Sequence, residues 1–354
     1  MILGRQRLSE EYNVHVRTVE RAIKALVDEG TLETQGTRGT FVAKSLADVS
    51  KERQEAFTPV SHWGEKLSRQ RTIGIVTTDD PPSSETEAIL RSVEKSLSNA
   101  GGSVAYINRT TRGRGLIPMD TAIADLLNAR CEAIVALTYN DRTPQFNEFD
   151  AMLGGAAVPI IHVSSVSANR PMWSVYYDNI DAGFQAATHL IEKGCTSLYY
   201  LASQHFQWAD ERLLGVQEAM KLAGIVQENL LTRFEENEDE NDLLRVAAAR
   251  RAALETFADC IPQGIVAVND HMAKGVLLAA QQVGLTAGSD FLLVGFDDRE
   301  ETRAHGISSM RPPVDEMGAS AARLTVRALE GDPTYQRVCL SSHLIARAST
   351  SGCF

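Results

Sequence analysis

Short apolar runs alternate with stretches of helical spacing from Arg71 onward, and the alternation begins afresh partway along. Thr72–Thr77, Ser103–Ile107, Ala133–Leu137 and Pro159–Val163 read as strands, with helices over Glu85–Ala100, Thr121–Ala129 and Phe146–Leu153 between them. A second series starts at Ser174–Tyr177. It continues as helix Ala182–Glu192, strand Ser197–Leu201, helix Glu211–Leu222, strand Leu230–Arg233, helix Asp242–Phe257, strand Gly264–Val268, helix Met272–Val283 and strand Phe291–Val294. Strand–helix units repeated in this way build parallel sheets with helices on both faces. The strands are apolar without alternation, as fits sheets covered on both sides. Two lobes in series predict a two-lobed α/β binding domain, with a ligand between the lobes at the carboxyl ends of the strands.

A different texture precedes this. Leu8 to Tyr12 is compatible with a short helix, broken by Asn13-Val14. From Val16, the residues Val19, Ile23, Leu26 and Val27 fall on one helical face, and Gly30 stands where a left-handed cap is expected. Thr31–Thr34 and Thr40–Val42 are β-prone and flank a turn rich in glycine. Charge separates the two parts. Residues 1–44 hold seven Lys/Arg against six Asp/Glu, a net +1, so of the overall −11 the rest of the chain carries −12. A near-neutral head on an acidic body suits a nucleic-acid binder whose body must not adhere to DNA. Five scattered cysteines form no CxxC pair, which argues for reduced thiols and against disulfides or zinc. No apolar run approaches membrane-spanning length and Met1–Arg5 leads into no signal-peptide core, so a cytoplasmic protein without membrane contact is expected.

The head resembles the winged helix-turn-helix of the GntR family, through Leu8, Val14, Thr18, Val19, Ala22, Leu26, Gly30 and Gly39-Thr40-Phe41-Val42. The family's preceding helix has no counterpart here, so Leu8, Ile23 and Leu26 are expected to be poorly covered. The resemblance implies that Val16–Glu29 is a recognition helix. His15, Arg17, Thr18 and Arg21 would meet the major groove, and Arg38 and Gly39 would sit at the wing tip. Arginine's planar fork suits guanine edges and phosphates. His15 stands where the family has a capping serine, and histidine is a poorer cap.

Residues 71–350 resemble the periplasmic-binding-protein-like core of LacI-type regulators. The ordered motifs are Val175-Tyr176-Tyr177-Asp178-Asn179, Asp210-Glu211-Arg212, Val268-Asn269-Asp270, Gly295-Phe296-Asp297-Asp298 and Leu344-Ile345-Ala346-Arg347. A GntR-type head on a LacI-type body is the layout of arabinose-responsive repressors. The resemblance implies an α/β fold of doubly wound parallel sheets in two lobes, preceded by a partial winged helix-turn-helix. The boundaries read from the sequence are a head over 1–44, a linker over 45–70, a first lobe of 71–177 plus 311–337, and a second of 178–310 plus 338–354.

By motif, the resemblance assigns effector contacts to Arg212, Asn269 and Asp297. A charged donor, an amide and a charged acceptor converging from strand ends suit a polyhydroxyl ligand, since each buried hydroxyl left unpaired costs roughly 1–3 kcal/mol. A purely structural Arg212–Asp297 ion pair is the competing reading. Position alone adds Asp79 and Ser165 from the first lobe, and Phe234 or Trp208 as an aromatic ring. The acidic run Glu235–Glu240 reads as a solvated loop; at the cleft rim it would disfavour anionic effectors. The function expected is a ligand-responsive repressor of carbohydrate-use genes. It would act as a homodimer on operator DNA, sensing a sugar, without cofactor or metal. The alternatives are a purine or other non-sugar effector, or a transporter's solute-binding protein. An enzyme is not expected, because the chain has no GxxxxGKS/T, GxSxG, HExxH or GxGxxG motif.

Overall fold

The structure is a computed structural model that describes residues 4–11, 14–28, 32–34, 40–42, 66–77, 84–111, 115–138, 152, 157–167, 171–203, 205–234 and 242–354. The chain divides into two compact units, Met1–Val60 and Ser61–Phe354.

In the first unit, α1 (Arg5–Glu11) and α2 (Val16–Asp28) are followed by β1 (Leu32–Thr34) and β2 (Thr40–Val42), paired antiparallel with Leu32 opposite Val42. The turn between the helices is closed by the Ser9 hydroxyl, which donates to the Val14 carbonyl at 2.6 Å. His15 does cap α2: its Nδ1 accepts from the Arg17 N–H at 3.2 Å, so an imidazole takes the place of a hydroxyl. Val19, Ile23 and Leu32 form a small core with Leu8 and Val27 against it. Ile23 is therefore covered, against expectation, because α1 and β1 both pack on α2. Leu26 remains exposed.

The second unit begins with β3 (Arg71–Thr77), α3 (Ser84–Asn99), β4 (Gly102–Asn108), the short hairpin β5 (Thr110–Thr111) and β6 (Gly115–Leu116), α4 (Met119–Asn128), β7 (Ala133–Leu137), β8 (Ile160–Val163) and β9 (Trp173–Tyr177). It continues with α5 (Asn179–Glu192), β10 (Leu198–Ala202), α6 (Gln207–Leu222), β11 (Leu230–Phe234), α7 (Asp242–Asp259), β12 (Gly264–Ala267), α8 (Asp270–Val283) and β13 (Leu292–Phe296). Then come α9 (Glu300–Arg303), β14 (Ser308–Arg311), α10 (Val314–Leu329), β15 (Arg337–Leu340) and β16 (His343–Ile345).

These strands form two six-stranded sheets. The first has the order β4-β3-β7-β8-β9-β15, with every pairing parallel. The second has the order β11-β10-β12-β13-β14-β16 and is parallel except for β16. Strands β7, β8, β10, β12 and β13 are buried along their whole length, as a sheet with helices on both faces requires. The strand order reverses beside β3 in one sheet and beside β10 in the other, which opens a crevice at each carboxyl edge.

The chain passes between the lobes after β9, after β14 and after β15, and this corrects three boundaries. Residues 338–340 belong to the first lobe, because Arg337–Leu340 extends the first sheet alongside β9, with Val338 opposite Val175. Arg311 belongs to the second, as the last residue of β14. The end of the expected linker is part of the first lobe: Leu67 packs on its core and donates its N–H to the Ala100 carbonyl, and Ser68 bonds to Glu330. The expected helix Phe146–Leu153, apart from Met152, and the acidic run at 235–240 lie outside the described residues.

Helices α5 and α6 approach backbone to backbone. A Cβ on Gly215 would stand 1.9 Å from the Ile180 carbonyl oxygen, and one on Gly183 would stand 2.0 Å from that of Arg212. Only glycine permits this contact, and it fixes where Arg212 emerges.

Candidate functional site

Four strand ends of the second unit deliver polar groups to one place. Arg212, in the second turn of α6, is buried, and its guanidinium reaches three elements. Its Nε donates to Asn179 Oδ1 at 3.0 Å, its Nη1 to the Val268 carbonyl, and its Nη2 to the Tyr177 hydroxyl at 2.6 Å. The guanidinium carbon lies 4.4 Å from the centre of the Phe296 ring and 4.8 Å from that of Trp208, both within cation–π range. Asp297 Oδ1 is 4.0 Å away.

Asp297 follows β13 with φ at +96°, and Asp298 follows with φ at +50°. Successive non-glycine residues in this region are uncommon and carry strain. The strain is held by Asp298, whose buried carboxylate binds Arg311, Arg347 and Arg303. Asp297 is left at the surface of the cleft, with Arg299 Nε at 3.5 Å. Asn269 caps α8, its Oδ1 accepting from the Met272 N–H at 2.9 Å, so its amide NH2 is the part turned to other uses. Beside it Asp270 is buried and receives Ser309 Oγ, Thr302 Oγ1 and the Arg299 N–H. Burial, reinforced by Asp297, nevertheless raises the Asp270 carboxyl to about 7.

Among the first-lobe candidates, Ser165 is buried and its carbonyl accepts from Asn179 Nδ2 at 2.7 Å. It is thus joined to Arg212 through one amide. Asp79 lies outside the described residues. Phe234 is stacked on His205, rings 3.7 Å apart and 18° from parallel, while the rings beside Arg212 are those of Trp208 and Phe296.

The sequence reading missed Glu85, Asn179, Tyr177 and Arg299. Asn179 and Tyr177 flank Asp178 within the motif Val175–Asn179 that helps carry the family resemblance. Glu85 is in the first turn of α3, the helix that follows β3 in the chain, and in such folds ligand contacts arise beyond the carboxyl ends of the strands. It lies within electrostatic reach of Asp297, Arg299, Arg212 and Asp270. Burial raises its carboxyl well above the ordinary range, Asp297 adds to the rise, and Arg299 and Arg212 oppose it.

In the first unit, His15, Arg17, Thr18 and Arg21 are exposed around the start of α2. Arg38 and Gly39 lie outside the described residues. Among the described residues no helix is long and apolar enough to cross a membrane.

Two largely parallel sheets joined by three crossovers, with polar groups gathered at their carboxyl ends, define a two-lobed, periplasmic-binding-protein-like α/β fold. The comparisons agree with this class. Residues 187–350 match the family model of the periplasmic binding protein-like domain. The arabinose metabolism transcriptional repressor of Halalkalibacterium halodurans is 22% identical over 360 residues, covering 97% of this chain and 89% of that protein. The HTH-type transcriptional regulator DegA of Bacillus subtilis is 28% identical over 201 residues, covering 55% of this chain; the match spans 57% of DegA's own length. Among solved structures, the CelR transcriptional regulator in complex with cellobiose superposes with a TM-score of 0.65 at 22% identity, over 98% of this chain and all of that one. A ribose-bound LacI-family regulator from Enterococcus faecium gives 0.62 at 16%, over 80% of this chain and all of that one.

Proposed function

We propose that this protein is a ligand-responsive transcriptional repressor of carbohydrate-use genes. The observation that carries the reading is its layout. A helix pair and hairpin precede a two-lobed domain whose cleft gathers Arg212, Asn269 and Asp297. The same overall extent is shared with a relative named as an arabinose metabolism repressor. Residues 1–44 act as a GntR-type winged helix. Arg17, Thr18 and Arg21 read the major groove, with His15 capping their helix and Arg38 and Gly39 at the wing. A near-neutral head binds weakly alone, so a homodimer presents two heads to a two-part operator. The effector is a sugar held between the lobes by Asp297, Asn269 and the face of Trp208, with Ser165 and Asp79 on the first-lobe side and Phe234 at the rim. Arg212 acts chiefly by holding that site in shape. The protein works in the cytoplasm and turns over nothing.

Selection of binding sequences from a random DNA pool by the purified full chain tests this. The expected result is one enriched two-part sequence. Its affinity should fall at least tenfold on addition of one sugar, and also in the Arg17→Ala and Arg21→Ala variants. Failure to enrich any sequence would overturn the DNA-binding reading.

A further inference from the structure

Two carboxyl groups within electrostatic reach of each other come from different lobes, and neither is satisfied by the protein. Asp297, on the second lobe, has Arg212 at 4.0 Å and Arg299 at 3.5 Å, both outside ordinary hydrogen-bond distance. Glu85, on the first, has its Oε1 sealed from solvent with no hydrogen-bond partner. The indole N–H of Trp208, whose ring lies against Arg212, is also buried without an acceptor. A carboxylate oxygen in such a place is costly unless a donor meets it. Both guanidinia of the cleft already have partners: Arg212 holds Asn179, Val268 and Tyr177, and Arg299 stands beside Asp297. The cleft thus holds two carboxyl groups whose oxygens the protein leaves without a hydrogen bond, and the guanidinium of Arg212 is committed elsewhere.

We propose that Glu85 sets the chemical class of the effector: with Asp297 opposite, the cleft takes an uncharged or cationic polyhydroxyl compound that donates hydrogen bonds from both faces, and discriminates against phosphorylated and carboxylated sugars. The proposal rests on the reading that an effector occupies this cleft. Hydroxyl and ammonium groups donate to carboxyl oxygens, whereas phosphate and carboxylate groups are themselves acceptors and would leave those oxygens unmet. The raised carboxyl of Glu85 fits a group to which the protein supplies no donor, and ligand hydroxyls would supply one.

The test is calorimetric titration of the full chain with matched compounds. The set comprises ribose, arabinose, glucose, galactose and cellobiose, then glucosamine, then ribose 5-phosphate, glucose 6-phosphate and gluconate. The wild type should bind one uncharged or amino compound at least tenfold more tightly than its anionic counterpart. Glu85→Gln, which keeps an acceptor and loses the charge, should narrow that ratio at least threefold, and Glu85→Ala should narrow it while also weakening the uncharged ligand. An anionic compound binding as tightly as its parent in the wild type would overturn the proposal. So would a ratio unchanged in both variants; in either case the effector reading itself would stand. No binding by any compound would overturn both.

Discussion

Arg212 and Asp297 stand 4.0 Å apart at the floor of the cleft without a direct hydrogen bond. The arginine's bonds go to Asn179, Val268 and Tyr177, so it ties together the start of α5 and the ends of β12 and β9. This separates two roles that the sequence motif merges. Arg212 holds the walls of the site, and on the proposed reading Asp297 is the residue whose acceptor oxygens meet a ligand.

Arg212→Ala should therefore cost the domain about 3–5 kcal/mol, the range for removing one member of a buried charged network. Urea denaturation checks this, and a loss under 1 kcal/mol would contradict it. Lysine should not rescue, because a point charge cannot reproduce the three-way fork. Asp297→Asn is the cleaner probe of ligand binding. Asparagine tolerates the positive φ, so stability should change by less than about 1 kcal/mol while effector affinity falls at least tenfold.

Asp298 is the anchor of the same turn. Its carboxylate neutralises guanidinia from α9, β14 and the segment after β16. Asp298→Ala would leave these charges around a buried gap, and a loss of about 3–5 kcal/mol is expected. Arg311 ends the strand from which the chain crosses back to the first lobe, so the variant should also weaken effector binding. Unchanged affinity with lowered stability would separate the anchor from the cleft.

Two buried groups give opposite pH dependences. Asp270 is raised from 3.8 to about 7, so its contribution to stability is complete below about pH 3.8 and is lost as pH rises through about 7. His162, buried against the Thr138 hydroxyl, is lowered from 6.5 to about 4 by burial. Its contribution is complete above pH 6.5 and is lost as pH falls through about 4. Each has a limiting slope of about 1.4 kcal/mol per pH unit, and the two largely cancel between pH 4 and 6.5. Relative to the wild type, Asp270→Asn should gain stability as pH rises over that window, and His162→Gln should gain as it falls. Urea midpoints at pH 4.5, 5.5 and 6.5 decide; curves parallel to the wild type would reject both assignments.

Gly215 has no room for a methyl group, since its Cβ would meet the Ile180 carbonyl at 1.9 Å. Gly215→Ala must part α5 from α6, at a cost of about 1–3 kcal/mol or more. Arg212 lies three residues back on the same helix. The shift should register as altered Trp208 fluorescence together with the lower urea midpoint, and a native spectrum and midpoint would contradict the packing account.

The fold was legible because parallel strands buried on both faces leave long apolar runs, and β3, β7, β10, β12 and β13 all show them. The sequence boundary after 337 cuts through β15, because Arg337–Leu340 has a half-exposed, mixed pattern typical of an edge, which says nothing about which sheet it joins. The charged motif residues Arg212, Asn269 and Asp297 stand out in the sequence. Glu85 does not, since an acid in the first turn of a helix has a local explanation in the helix dipole. Only the facing of the lobes distinguishes it. Ser165 contributes a backbone carbonyl, and a backbone contact leaves no mark on residue type.

In the proposed function, effector binding in the cleft governs the DNA-binding head. This is tested most directly by titrating the sugar identified by calorimetry into the full chain, with and without the duplex identified by selection. Coupling between sites is reciprocal. The duplex should weaken the sugar by the same factor, tenfold or more, by which the sugar weakens the duplex. Sugar affinity that is the same with and without duplex would contradict the account, even if each ligand bound tightly alone.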